Sequence, residues 1–204
     1  MARYRTAMAE VIRRGTKRRG TDESEVRARI VRAASVIIDE EGFGAITAPR
    51  LADTIGLRRP IIYYYFDDMD EIRKAAVRFA YGETKAAALL TLPDKNPVDV
   101  LWRIFEKTSA PLSELTTYSL RDESYRPLLA EIMEDLRLTF ISPIEAHVAE
   151  RPNTAILGSA GMAFLVQAVS TALATERRLG LDLGHSTVRQ FFAGALGVTA
   201  ATNG

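Results

Sequence analysis

Apolar residues recur along most of this chain at helical spacing, three or four positions apart, without the strict alternation that marks β-strands. One such segment begins near Asp70, where Ile72, Ala76 and Phe79 mark a single inner face. Breaks rich in proline and glycine separate these segments, and the run 93–97 is the clearest loop. Pro111 is expected to interrupt one of the later helices, and Ser142-Pro143 is expected to kink or break the next. The pattern predicts an all-α protein.

Two short helices joined by a tight turn are predicted between Thr47 and Phe66. Thr47 is a good N-cap residue, and a proline two positions later suits a first helical turn, where no N–H partner is needed. Gly56 fits the left-handed backbone position that ends such a helix, and Pro60 marks the start of the next one. This spacing is that of a helix-turn-helix.

The second of these helices carries an unusual set of exposed side chains. Ile62 and Phe66 lie four positions apart and are predicted to be buried, which leaves most of the three consecutive tyrosines outside. A small helical core with an aromatic edge would explain the tyrosines alone, but the preceding helix and the two arginines of the turn favour DNA recognition. The predicted DNA-binding residues are Thr47, Arg50, Arg58, Arg59, Pro60, Ile61, Tyr63, Tyr64 and Tyr65.

Charge is distributed unevenly along the chain. Residues 1–66 hold thirteen Lys and Arg against eight Asp and Glu, whereas residues 67–204 hold fourteen against eighteen. A basic N-terminal region followed by an acidic remainder is the electrostatic signature of a DNA-binding domain attached to a different domain. We predict a basic N-terminal extension at 1–22, a helix-turn-helix domain at 23–69 and a helical body at 70–204.

From Arg27 to about Ile72 the chain resembles the tetracycline-repressor (TetR) family of bacterial transcription regulators. Residues 27–34, with a basic residue, an Ile and an Ala-Ala pair, are similar to its first helix, and Thr47 to Gly56 resembles its second. Tyr63 and Phe66 fall on its best-marked positions. The resemblance implies a three-helix DNA-binding domain followed by a helical ligand-binding and dimerisation domain.

The chain departs from the family at two positions. The family often has Ser or Thr at the place of Arg58, so the usual cap of the recognition helix is missing, a loss typically worth about 1 kcal/mol. It usually has a phosphate-gripping Lys at the place of Met69, which is surrounded here by aspartates. Residues 1–20 add seven cations against one acid and are either a solvated tail or an arm that grips phosphate.

The last two predicted helices, at 154–179 and 186–199, are apolar over most of their circumference. One small domain cannot cover all of this surface, so burial inside the monomer is less favoured than a homodimer, and the resemblance implies a four-helix bundle between two subunits. The uncharged segment 152–175 is long enough for a membrane span, but its polar residues favour a helix buried against protein.

No catalytic, cofactor or metal pattern is recognisable, and we expect no enzyme. The two histidines are isolated, and with no cysteine there is neither a disulfide framework nor a thiolate metal site. The absence of cysteine and of a signal peptide fits a cytoplasmic protein. Apolar, aromatic and amide side chains of the body are candidates for a pocket that takes a small apolar effector. These candidates are Trp102, Phe105, Tyr118, Met133, Phe140, Met162, Phe164 and Gln167.

Two functions remain open from the sequence. The first is a ligand-responsive transcription regulator, most simply a repressor that binds a palindromic operator as a homodimer and is released by its effector. The alternative is a DNA-binding architectural or partner-responsive protein without a small-molecule ligand. An open apolar pocket with a few polar groups would favour the first, and a filled body core the second.

Overall fold

The computed structural model describes residues 19–149 and 157–199, and over these residues the fold is all-α with no strand. This confirms the predicted fold class. The eight α-helices are α1 Arg19–Glu41, α2 Ala48–Ile55, α3 Arg59–Tyr65, α4 Met69–Thr91, α5 Pro97–Arg121, α6 Arg126–Val148, α7 Gly158–Arg178 and α8 His185–Leu196. Short 3-10 helices lie at Phe43–Ala45, Leu92–Asp94 and Glu123–Tyr125.

The chain forms two compact units that divide inside α4, between Phe79 and Ala80. We call residues up to Phe79 the head unit and residues from Ala80 the body unit. The sequence placed this boundary earlier, at 69/70, before α4 begins. The predicted extension at 1–22 falls almost wholly outside the described residues, so its role stays a prediction.

The head unit is held together by one apolar face from each of its helices. Ile30 and Ile37 of α1, Leu51 of α2, Ile62 of α3 and Ile72 of α4 are all 0–1% exposed. Helices as short as α2 and α3 are marginal in isolation, so their stability comes from this packing. It also fixes the angle at which α3 presents its opposite face to solvent.

The body unit is built around α5, which packs against both α6 and α7. Its core is centred on aromatic side chains: Trp102 and Phe105 from α5, Phe140 from α6 and Phe192 from α8. The rings of Trp102 and Phe192 lie 5.0 Å apart between centroids. Large buried aromatic rings contribute much of the apolar area removed from water on folding.

The predicted interruption at Pro111 is wrong, and at Pro143 the helix does not break. Both α5 and α6 run through their prolines without ending. A proline inside a helix costs about 3 kcal/mol through its lost hydrogen bond and its clash with the preceding turn. Buried side chains on both sides, such as Phe105 and Leu115 around Pro111, offset that penalty.

Asn96 joins the start of α5 to the end of α8. Its Oδ1 accepts a hydrogen bond from the Val98 N–H at 2.9 Å, which caps α5. Its Nδ2 donates to the carbonyl oxygens of Leu196 and Gly197 at 2.6 and 2.9 Å. One side chain therefore satisfies groups at two helix ends that are otherwise unpaired within their helices.

Among the described residues, α7 is the one helix whose length and composition would let it cross a membrane. Its most apolar stretch is only marginally hydrophobic for a membrane span. Core helices of soluble proteins have the same properties, and Met162, Ala163 and Val166 of α7 lie in the body core.

Candidate nucleic-acid interface

The end groups of α2 are those the sequence predicts. Thr47 has extended backbone angles, and its side chain accepts a hydrogen bond from the Arg50 N–H at 3.3 Å. Pro49 lies in the first turn. Gly56 ends the helix with φ of 66°, in the left-handed region, and its N–H donates to the Ala52 carbonyl. A residue with a Cβ would be strained there, so the glycine sets the tight turn into α3.

Helix α3 buries one face and exposes the other. Ile62 and Phe66 are 0% and 2% exposed, as predicted. On the other face Ile61, Tyr63 and Tyr64 are 37%, 51% and 56% exposed. The head unit therefore leaves an apolar and aromatic surface of α3 in solvent. This surface lies beside the turn that carries two arginines.

The aromatic surface of α3 is held in a defined arrangement by its neighbours. Tyr65 is half-buried, and its ring meets that of Tyr64 edge-on at 5.0 Å. The hydroxyl of Tyr64 donates to Glu23 of α1 at 3.4 Å. Pro60 is exposed in the first turn and restricts the backbone there.

Arg58 and Arg59 are the exposed cations at the start of α3. Arg58 stands at the N-cap with an extended backbone and makes no side-chain cap hydrogen bond, as its side-chain chemistry requires. Neither guanidinium has an ion pair or hydrogen bond within the described part of the chain. Both are therefore available to phosphate oxygens or base edges.

Other arginines of the head unit are bound by internal partners. Arg27 pairs with Glu71 at 2.9 Å and lies over the Phe66 ring at 4.5 Å. Arg29 donates to the Ile55 carbonyl at 2.6 Å, at the end of α2. Arg73 donates to Asp70 at 2.7 Å and to the Ile46 carbonyl at 3.0 Å. These side chains brace the helices, and a count of basic residues therefore overstates the charge available to DNA.

Arg50, one of the predicted DNA-binding residues, is held by Glu41 at the end of α1. Its Nε donates to the two carboxylate oxygens at 3.0 and 3.1 Å, and its Nη2 donates to Oε1. The hydrogen bonds from Arg50 lower the pKa of the Glu41 carboxyl. The sequence reasoning missed Glu41, because no spacing rule links the end of one helix to the first turn of the next.

The acids between α3 and α4 cap α4. Asp68 Oδ1 accepts from the Glu71 N–H at 2.7 Å, and Glu71 Oε2 accepts from the Asp67 N–H at 2.9 Å. Negative charge also suits the start of a helix. Met69 brings no cation to this border of the interface.

The predicted effector-pocket residues are divided between the body core and more exposed positions. Trp102, Phe105, Phe140 and Met162 are at most 2% exposed and lie in the body core. Tyr118 and Met133 are half-buried. Whether any of them binds a ligand stays a prediction.

Two predicted pocket residues of α7 face different surroundings. Gln167 is buried and accepts a hydrogen bond from Arg137 Nε at 2.6 Å. Phe164 is 55% exposed, and the Arg137 guanidinium lies 5.1 Å from the centre of its ring. Phe164 therefore belongs to the outer face of α7, because the neighbouring positions Met162, Ala163 and Val166 take the inner one.

One buried polar atom of the body core has no hydrogen-bond partner among the described residues. The indole Nε1 of Trp102 is buried and makes no hydrogen bond to any described residue. Buried polar groups are nearly always paired, so an unpaired N–H at the centre of an aromatic core needs an explanation. No group of three or more potential metal ligands occurs among the described residues.

Comparisons with known proteins bear on both units. Residues 30–76 match a family described as bacterial regulatory proteins, tetR family. The solved structure of Salmonella enterica GusR is similar over 84% of this chain and 95% of that chain, with 18% sequence identity and a TM-score of 0.52. At that identity the likeness shows a shared fold and nothing more. A comparison with curated proteins gave no match.

Proposed function

Because this chain is a DNA-binding regulator of the tetR family, we propose that it is a repressor that binds a palindromic operator as a homodimer. A small apolar effector that enters the body unit releases it from DNA. The observation that carries the proposal is the exposed face of α3. Ile61, Tyr63 and Tyr64 stand outside the core, beside two arginines that have no partner among the described residues.

In this mode of binding α3 lies in the major groove. Arg59 forks onto a guanine, Pro60 and Ile61 contact a thymine methyl group, and the hydroxyl of Tyr63 reaches a phosphate. Helix α2 crosses the DNA backbone, as the first helix of a helix-turn-helix does. Specificity then comes from the start of α3, and the register on DNA comes from the phosphate contacts.

The homodimer would use the outer faces of α7 and α8, within the predicted ranges 154–179 and 186–199. Phe164 of α7 and Phe191 of α8 are 55% and 62% exposed. Ala160, Ala168 and Ala172 are exposed on α7 and leave room for a second helix to approach closely. A two-fold axis through this face would bury both phenylalanines of each subunit, as an isologous interface requires.

The unpaired indole N–H of Trp102 supports the effector part of the proposal. An unsatisfied buried donor costs about 1–3 kcal/mol, and a ligand that accepts its hydrogen bond recovers this. A buried water needs two to four polar partners, whereas Trp102 lies in a cluster of hydrophobic side chains. The chemistry fits an apolar molecule that carries a hydrogen-bond acceptor such as a carbonyl oxygen.

Operator selection tests the proposal directly. DNA fragments of the source genome that the protein retains should share a two-fold symmetric sequence. Retention without sequence enrichment would favour an architectural protein instead. Light scattering of the free protein should give twice the 22.5 kDa chain mass, and a monomer mass that persists on concentration would refute the dimer.

The effector is tested separately through fluorescence, because Trp102 is the single tryptophan of the chain. Acetophenone and ethylbenzene have similar shapes and differ by one carbonyl oxygen, so acetophenone should bind more tightly and shift the Trp102 emission. A Trp102→Phe variant, followed by calorimetry, should lose this preference. Equal binding of the two compounds to the wild type would count against an acceptor at Trp102.

A protein that works on DNA in a bacterial cell would be cytoplasmic.

A further inference from the structure

We propose that Glu41 occupies, in the free protein, the edge of the Arg50 guanidinium that a DNA phosphate takes in the complex. Glu41 is then an internal competitor of DNA, and it sets how tightly the head unit binds any sequence. The proposal rests on DNA binding by the head unit but not on the effector or the dimer interface.

The position of Arg50 gives it access to the DNA backbone. It lies in the first turn of α2, directly after the capped start at Thr47. Backbone N–H groups at the start of a helix attract phosphate, and the first helix of a helix-turn-helix crosses the DNA backbone. The Arg50 and Glu41 side chains are 42% and 36% exposed, so a phosphate can reach the pair.

The chemistry of the pair makes exchange with phosphate direct. A carboxylate and a phosphate offer the same pair of oxygens to the guanidinium fork. Glu41 receives three hydrogen bonds from Nε and Nη2, which are the atoms a phosphate would bind. The carboxylate therefore blocks the edge of Arg50 that would otherwise face DNA.

A second residue keeps Arg50 in place when Glu41 leaves. The Nη1 of Arg50 donates to Thr54 Oγ1 at 2.7 Å, and the Thr54 hydroxyl donates to the Arg50 carbonyl oxygen at 2.8 Å. Thr54 thus holds the far side of the guanidinium while the Nε edge changes partners. The exchange needs no movement of the helix.

The test compares Glu41→Gln with Glu40→Gln in binding to a fluorescein-labelled DNA duplex of random sequence, followed by anisotropy over a range of salt concentrations. Glu40 is also exposed at the end of α1, and no hydrogen bond joins it to Arg50. The Glu40→Gln variant therefore measures the effect of removing one negative charge near DNA. Arg50→Ala and the double variant with Glu41→Gln complete the set.

Glu41→Gln should bind the random duplex more tightly than Glu40→Gln. An exposed ion pair shifts an equilibrium by roughly 1.5- to 5-fold, so a dimer that frees two arginines should gain roughly 2- to 30-fold at low salt. The gain should shrink as salt rises, so log K should fall more steeply with log salt in Glu41→Gln, because salt also weakens the exposed ion pair that DNA must displace in the wild type. Adding Arg50→Ala should remove both effects.

Several results would overturn the proposal. The first is that Glu41→Gln and Glu40→Gln bind the duplex with equal affinity and equal salt dependence. The second is that Glu41→Gln binds more weakly than wild type, which would make Glu41 a residue that orients Arg50 for DNA. Unchanged binding in the double variant relative to Glu41→Gln would show that the gain does not pass through Arg50. Circular dichroism shows whether each variant is folded. If neither the wild type nor any folded variant binds the duplex, DNA binding by the head unit fails together with the proposal.

Discussion

The head unit and the body unit use their charged side chains differently. In the head unit the pairs nearest the DNA-facing side, such as Arg50 with Glu41, are exposed. In the body unit Asp99, His185 and Arg189 are 7–8% exposed. Exposed pairs contribute little to stability and can exchange partners, whereas buried groups are costly to leave unpaired.

One partner of the buried Arg189 comes from a distant part of the sequence. Arg189 of α8 donates to Glu106 of α5, 83 positions earlier, at 3.2 Å. Arg177 of α7 forms an ion pair with the same carboxylate. The body unit therefore uses charge to join three helices, whereas the role we propose for the Arg50–Glu41 pair of the head unit requires that it stay exposed to solvent.

Removing core side chains tests how separate the two units are. Phe140→Ala in the body unit should cost about 3–5 kcal/mol, and Ile62→Ala in the head unit about 2–5 kcal/mol. Trp102 fluorescence reports the body unit alone, and circular dichroism reports both. Phe140→Ala should lower the urea midpoint seen by fluorescence, and Ile62→Ala should lower only a transition seen by circular dichroism. A single transition that moves in both variants would mean that the units unfold as one.

The next largest effect is expected at Asn96, which exemplifies the long-range contacts of the body unit. Asn96→Ala removes the cap of α5 and two hydrogen bonds to the end of α8, which should cost about 2–3 kcal/mol. Asn96→Asp keeps the acceptor for the Val98 N–H but loses the donor to the two carbonyls. Its unfolding free energy should fall between wild type and Asn96→Ala, and a value equal to wild type would show that the α8 contacts contribute nothing.

The free arginines of the head unit should affect DNA binding without affecting stability. Arg59→Ala should weaken operator binding by about 1–3 kcal/mol and relax the preference at one base pair. Lys107→Ala removes an exposed cation of the body unit and serves as the matched control. Tyr63→Phe should weaken binding to all sequences by a similar factor. Unchanged operator affinity in both head variants would contradict the assignment of α3 as the recognition helix.

The smallest effect is expected at Asp135, where the body unit has a partly exposed cluster. Lys85 Nζ donates to its carboxylate at 2.6 Å, and the Tyr81 hydroxyl also donates to it. These hydrogen bonds, first from Lys85 and then from Tyr81, lower the pKa of Asp135. Burial and the contact with Asp135 raise the pKa of Tyr81, which keeps the phenol protonated.

The lowered pKa fixes how the stability depends on pH. The contribution of Asp135 is present above the unfolded-state pKa of about 4 and is lost as the pH falls through the lower folded-state value. Because the carboxylate is 43% exposed, Asp135→Asn should cost at most about 1 kcal/mol at neutral pH. Its difference from wild type should disappear in acid, and Glu134→Gln, at a neighbouring exposed acid, serves as the control for the loss of one negative charge. A difference that grows in acid would reverse the sign and refute the assignment.

The sequence predicted the helix-turn-helix well because its signals are local. The cap at Thr47, the left-handed Gly56 and the buried pair Ile62 and Phe66 each depend on residues within about one helical turn. The same local rules failed at Pro111, where packing of the surrounding helix offsets the penalty of a proline. The local rules also did not predict that Phe164 lies on the exposed face of its helix.

By itself the sequence determined the all-α fold class, the two short helices and the face of α3 that stays in solvent, because helix periodicity and capping act over a few residues. Only the tertiary structure decided that Glu41 holds Arg50, that Asn96 joins α5 to α8 and that Glu106 receives arginines from α7 and α8. Those contacts depend on which helix faces pack together. That choice is made by the burial of many apolar side chains at once, and no short stretch of sequence records it.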